Sequence, residues 1–288
     1  MVVKEFNNAQ AYLDDYESNL LQNEPVSQLI LFNAYKNKNK ATNEDELFGT
    51  VLDKEEAPVL HFANIPPYNL TLYVENEDKE KVKEATEHLV KHLVSNNITI
   101  LGLNSRYEVG QLFINEYKKY VDCTFIEKLG MDIMVIRQSN DIKPAEGMTR
   151  LATIDEVKII TDWMIQFQIE ARASEINYED ALHKAKRFIE DNKVYVFENT
   201  EQELVSMAII TRELVHGVAI SNVFTPEKYR GIGYAATNIF YMCTDLFCKG
   251  YEFCTLFVDK KALISSRAYE KVGFKVVDQN YDFQLISS

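Results

Sequence analysis

Apolar residues recur at helical spacing near the start of the chain. Phe6, Ala9, Tyr12, Leu13, Tyr16, Leu20 and Leu21 predict a helix over 4–22, and the same periodicity resumes over 26–35 after Pro25. Short apolar, β-prone runs at 47–52, 59–63 and 70–74 predict strands, separated by the turn Asp53-Lys54-Glu55-Glu56 and by Pro66-Pro67. A helix over 78–95, a strand at 98–103, a helix over 105–120 and strands at 123–129 and 131–136 follow. From Gln138 to Gly147 polar residues, a proline and a glycine replace the apolar periodicity. This divides the chain into a first domain at 1–138, a linker at 139–147 and a second domain at 148–288.

The second domain begins with a strand at 148–151. Thr153 then caps a helix whose apolar face carries Val157, Ile160, Trp163, Met164 and Phe167. A helix over 178–191 and strands at 194–198, 204–212 and 217–224 come next. After Pro226, which cannot donate to a sheet ladder, Ile232, Ala235, Ala236, Ile239, Phe240 and Cys243 run at helical spacing toward Gly250. A strand at 253–258, a short helix at 265–272 and strands at 274–277 and 281–286 complete an α/β pattern with a mixed sheet.

The candidate chemistry sits where the 217–224 strand meets its helix, at Arg230-Gly231-Ile232-Gly233-Tyr234-Ala235. Two glycines let the main chain pass close to a ligand. The helix behind them offers unpaired N–H groups and the positive end of its dipole to an anion, so the loop is a candidate cradle for a diphosphate. A glycine-bearing turn with no ligand is the alternative.

Composition narrows the classes. With 44 acidic against 31 basic residues and a net charge of −13, the molecule's field repels nucleic acid and anionic membranes. Cys123, Cys243, Cys248 and Cys254 lack the paired spacing of zinc sites and read as reduced structural thiols, so no metal is expected. The N-terminus lacks the apolar stretch of a signal peptide, and no apolar run approaches the roughly 20 residues of a membrane span. A soluble cytoplasmic protein is expected, with homodimers the commonest assembly of such chains.

A second motif, Tyr269-x-x-x-Gly273-Phe274, follows the strand at 253–258. Together, Arg230-x-x-Gly233-x-Ala235 and Tyr269-x-x-x-Gly273-Phe274 resemble the two signature motifs of the GCN5-related N-acetyltransferases, over roughly 148–288. The resemblance implies the acyl-CoA N-acyltransferase fold, acetyl-CoA as cofactor and a small-molecule amine as acceptor. It implies that Asn222, Val223, Phe224 and Thr225 hold the acyl-pantetheine arm by their backbone, with an N–H near Val223 or Phe224 facing the oxyanion. It implies further that Arg230, Gly231, Ile232, Gly233, Tyr234 and Ala235 hold the diphosphate, and that Tyr269 is the general acid. Related two-domain proteins carry an Asn-Pro-Thr-Ser-Asn-like run where this chain has Ala262-Leu263-Ile264-Ser265-Ser266, which leaves Ser266 as the remaining side-chain contact.

The general base is not legible. Glu213 and His216 are candidates by position, and Asp162, Glu170 and Glu175 are candidates for meeting a cationic substrate. The first half resembles the same fold in element order and in Pro67-Tyr68-Asn69-Leu70, yet has no glycine loop after a strand, so a degenerate acetyltransferase-like domain is expected there. A non-catalytic acyl-CoA-binding protein is the rival reading, and a structural module with a plain turn is a third.

Overall fold

The computed structural model describes residues 1–39, 46–75, 77–171 and 176–287. Two units emerge from its contacts: Met1–Ile133 with Val277–Ser288, and Met134–Val276. The first runs β1 (Val2–Phe6), α1 (Ala9–Leu21), α2 (Glu24–Asn37), β2 (Leu47–Leu52), β3 (Pro58–Asn64), β4 (Leu70–Val74), α3 (Lys79–Ser95), β5 (Gly102–Ser105), α4 (Tyr107–Tyr117) and β6 (Cys123–Ile136). The second repeats that succession: β7 (Met148–Leu151), α5 (Val157–Glu170), α6 (Tyr178–Glu190), β8 (Val194–Glu198), β9 (Leu204–Glu213), β10 (Gly217–Phe224), α7 (Tyr234–Cys248), β11 (Phe253–Asp259), α8 (Leu263–Val272) and β12 (Lys275–Ser287).

The ladders repeat as well. In the first unit β1–β2, β2–β3 and β3–β4 are antiparallel and β4–β5 is parallel. In the second, β7–β8, β8–β9 and β9–β10 are antiparallel and β10–β11 is parallel. Alternate strand residues point to opposite faces, so each unit builds two apolar layers. In the second unit Met207, Ile209 and Phe224 pack with Ile160, Trp163 and Ile189 of α5 and α6, while Ala208, Ile210, Ile220 and Leu256 pack with Ile239, Met242 and Cys243 of α7. In the first, α1 and α2 cover Phe48, Ala63 and Tyr73, and α3 and α4 cover Leu60, Phe62 and Leu72.

The structure departs from the sequence reading at several places. Residues 2–6 form a strand, not the first turn of a helix, because their backbone pairs with β2 from Val2↔Leu52 to Phe6↔Phe48. The runs 123–129 and 131–136 are one strand, and 275–287 is another. The stretch expected to be a linker is pinned inside the second unit: the Asn140 N–H donates to the Val272 carbonyl at 2.8 Å, and the Ala145 N–H donates to Thr237 Oγ1 at 2.9 Å. The last twelve residues belong to the first unit, where β12 pairs with β5 from Tyr281↔Ser105 to Gln284↔Gly102.

Candidate active site

The second unit's parallel ladder is short. It runs from Gly217↔Phe253 to Ile220↔Leu256, although β10 continues to Phe224 and β11 to Asp259. Beyond Ile220 the two strands part, leaving a wedge. On its other edge β10 shifts register against β9 between Ser221 and Phe224. Asn222, inside that bulge, is held at φ +50°, a conformation that asparagine tolerates better than most residues. Asn222 is 6% exposed, and its Oδ1 has no hydrogen-bond partner among the described residues. A buried, unsatisfied amide oxygen on a strained backbone costs stability, and such costs concentrate at functional sites.

Past the strand, Phe224 is a core residue packed on Trp163 at 6.0 Å, so only its backbone faces the wedge. Val223 is half-buried against the layer under α7. Thr225 spends its hydroxyl on Ser206 Oγ at 3.0 Å and its carbonyl on the Arg230 Nε–H at 2.8 Å, a bond that ties the strand end to the loop.

The loop itself is open. Gly231 (φ +83°) and Gly233 (φ +104°) are in the left-handed region, and an added Cβ at either would meet nothing within 4 Å. Gly233 is the N-cap of α7, and among the described residues no side chain caps that helix. Its first internal bond is from Thr237 N–H to Gly233 C=O, at 3.0 Å, so N–H groups ahead of Thr237 are left for an outside acceptor. Ile232 is exposed, Ala235 is half-buried, and Tyr234 packs on Phe197 at 5.4 Å. The Arg230 guanidinium is engaged by Glu170 at the end of α5, at 2.7 and 2.8 Å. The anticipated diphosphate partner and one of the acids expected to meet a cationic substrate therefore hold each other.

Tyr269 lies on α8, half-buried, its ring 5.9 Å from that of Phe274. Both Tyr269 and Val223 pack against the apolar layer under α7, which brings the tyrosine to the same side of the sheet as the loop. Its hydroxyl makes no hydrogen bond among the described residues, and burial pushes its pKa well above the usual phenol value. It is therefore protonated throughout the neutral range. Gly273 ends α8 at φ +123°, and a Cβ there would press on the Gln138 carbonyl and Asn140 N–H at 3.0 and 3.1 Å, which explains the glycine in the motif. Ser266 turns its hydroxyl back to the Ala262 carbonyl at 3.3 Å, within its own helix.

Glu213 and His216 are both exposed and sit at the closed end of β10, where Glu213 stands opposite Val218 and pairs with Lys193 at 3.2 Å. Asp162 is half-buried in α5, and Glu175 lies outside the described residues.

The first unit has the same wedge, since the β4–β5 ladder stops at Thr71↔Asn104, but what surrounds it differs. Glu75, Glu77 and Asp78 replace the glycine loop, and Asp78 caps α3 by accepting from the Glu80 and Lys81 N–H groups at 3.0 and 3.2 Å. An anion would meet acid there, not free N–H groups. Tyr73, Arg106, Gln279 and Asn280 close around a cavity of about 20 Å³, room for one water.

The second unit thus sets a strand-loop-helix turn with open space at its two glycines beside a wedge in the sheet. Residues 158–274, within the second unit, match the model of the acetyltransferase (GNAT) family. Two solved structures share the fold across nearly the whole chain. A GCN5-related N-acetyltransferase from Sphaerobacter thermophilus is 12% identical with a TM-score of 0.63, covering 100% of this chain and 96% of its own. A GNAT-family acetyltransferase from Colwellia psychrerythraea is 12% identical with a TM-score of 0.53, covering 99% and 100%. No curated protein matches the chain. With the repeated element order, these likenesses make the architecture two GNAT-like domains in tandem.

Proposed function

We propose that the second unit is an acetyl-CoA-dependent N-acetyltransferase that acts on a small primary amine, and that the first unit is a degenerate copy without a cofactor site. The reading is carried by the open cradle at Gly231 and Gly233, backed by an α7 N-terminus that no side chain caps among the described residues. Bound acetyl-CoA supplies a thioester whose carbonyl carbon gains a bond to the amine nitrogen as its C–S bond breaks, with one proton moving in net from nitrogen to sulfur.

The chain's residues divide the remaining work. Main-chain N–H groups from Gly231 to Ala235 bind the diphosphate, and the freed backbone of β10 from Asn222 to Thr225 aligns the pantetheine arm. A β10 N–H at Val223 or Phe224 stabilises the oxyanion. Tyr269, kept neutral by burial, donates its proton to the departing sulfur. Ser266 contributes little, since its hydroxyl is committed to Ala262. The amine loses its proton to water or to a group that the site geometry does not single out.

The test is thiol release from acetyl-CoA across a panel of primary amines, with mass detection of the N-acetylated product. Amine-dependent product supports the proposal. Tight CoA binding with no product from any amine sinks it in favour of a non-catalytic acyl-CoA-binding protein.

A further inference from the structure

The bulge in β10 sets one polar side chain at the mouth of the wedge. Ser221 stands opposite Ile209 and Phe224 opposite Met207, so Asn222 and Val223 together face the single residue Ala208. Ile209, Met207 and Phe224 pack in the layer under α5 and α6, whereas Ala208 and Val223 pack in or against the layer under α7. Strand alternation and the bulge therefore put Asn222 on the α7 face, where Tyr269 also packs. Asn222 comes two residues after Ile220, the end of the ladder with β11, and the matching β11 residue, Val258, is on the same face. The side chain thus stands where the two strands part, on the side assigned to the acyl donor.

Its amide has no protein group to bond. Oδ1 is enclosed without a partner, and the Nδ2 end makes no hydrogen bond among the described residues. A side chain only 6% exposed that leaves both ends idle has lost its hydrogen bonds to water and gained none in exchange. The enclosed end is the oxygen, which leaves the N–H donors for the gap. An arm anchored by its diphosphate at the glycine loop runs past Thr225 toward the closed end of the wedge. Asn222 is the first of the residues 222–225 at that closed end, so the group beside it is the thioester and not the carbonyls farther up the arm.

Resting on the proposed N-acetyl transfer, we infer that Asn222 is a catalytic residue whose Nδ2–H donates to the thioester carbonyl oxygen, next to the β10 N–H. As the amine nitrogen bonds to the carbonyl carbon, the C=O π pair moves onto that oxygen, and it returns when the C–S bond breaks. Two donors instead of one then hold the transient negative charge.

The experiment uses the full chain and two substitutions that suit a backbone at φ +50°: Asn222→Gly, which removes the side chain, and Asn222→Asp, which keeps its shape but offers only acceptors when ionised. Loss of one oxyanion donor should lower kcat for thiol release by roughly 100-fold in either. The Kd for CoA, which has no acyl carbonyl, should move far less than kcat. In difference infrared spectra without amine, the carbonyl band of acetyl-CoA isotope-labelled at that carbon should lie at lower wavenumber in wild type than in Asn222→Gly. A wild-type kcat in Asn222→Gly, a loss of CoA affinity as large as the loss of kcat, or a band that the substitution leaves in place overturns the inference while N-acetyl transfer stands. Asn222→Asp carries the same comparisons if Asn222→Gly fails to fold. If no amine turns over, the transfer reading fails, and the infrared band alone decides whether Asn222 touches the carbonyl.

Discussion

Replacing Gly233 by alanine perturbs the backbone and the cradle together, and Gly250 offers a control that perturbs the backbone alone. Gly233 sits at φ +104° before α7 and Gly250 at φ +97° after it, each with open space where a methyl would project. Left-handed backbone costs an alanine about 1–2 kcal/mol at either site. Both variants should therefore melt a few degrees lower, by comparable amounts. Only at Gly233 does the methyl enter the space assigned to the diphosphate. At a ligand concentration of 100 Kd, CoA stabilises the folded chain by about 2.7 kcal/mol, and a tenfold weaker complex would give only about 1.4 kcal/mol. Thermal melts with and without CoA should thus show Gly250→Ala keeping the full CoA-induced rise and Gly233→Ala keeping half or less. A full rise in Gly233→Ala, or an equal loss in both variants, would refute the assignment of the loop.

Further expectations concern the surrounding residues. Tyr269→Phe should lower kcat roughly 100-fold or more with little change in melting temperature at neutral pH, because the hydroxyl has no protein partner among the described residues. Since burial raises the folded-state phenol pKa, the unfolded chain ionises first: Tyr269 favours folding below about pH 10 and loses that effect at higher pH, so urea midpoints should fall less steeply above pH 10 in Tyr269→Phe. Glu170→Gln releases Arg230 and should tighten CoA binding a few-fold at low salt, while costing under about 1 kcal/mol of stability because the pair is exposed. Asn222→Val should lose about 1–2 kcal/mol, for a β-branched residue resists φ +50°, whereas Asn222→Gly should match wild type in urea unfolding.

Local chemistry was the legible part. The glycine loop and the Tyr269–Phe274 motif each depend on a strand, a turn and a helix adjacent in sequence, so spacing alone located them. What tertiary pairing decides could not be read. Lys4 and Glu5 look like a polar lead-in to a helix until β2 supplies backbone partners. The apolar alternation of β12 marks a strand, yet nothing in it says that its end will pair with β5 of the first unit. Asn140 looks like linker composition, but its amide caps α8. Asn222 carries no strand-breaking signal strong enough to reveal a bulge, and the lock between Glu170 and Arg230 joins residues 60 apart.

The most direct measurement is a calorimetric titration of the full chain with CoA and, separately, with pantetheine, which has the thiol arm but no diphosphate. If main-chain N–H groups at the start of α7 grip the diphosphate, CoA should bind at least 100-fold more tightly than pantetheine, with one site per chain. Equal affinities, or two CoA sites per chain, would contradict both the cradle and the acid-capped state of the first unit.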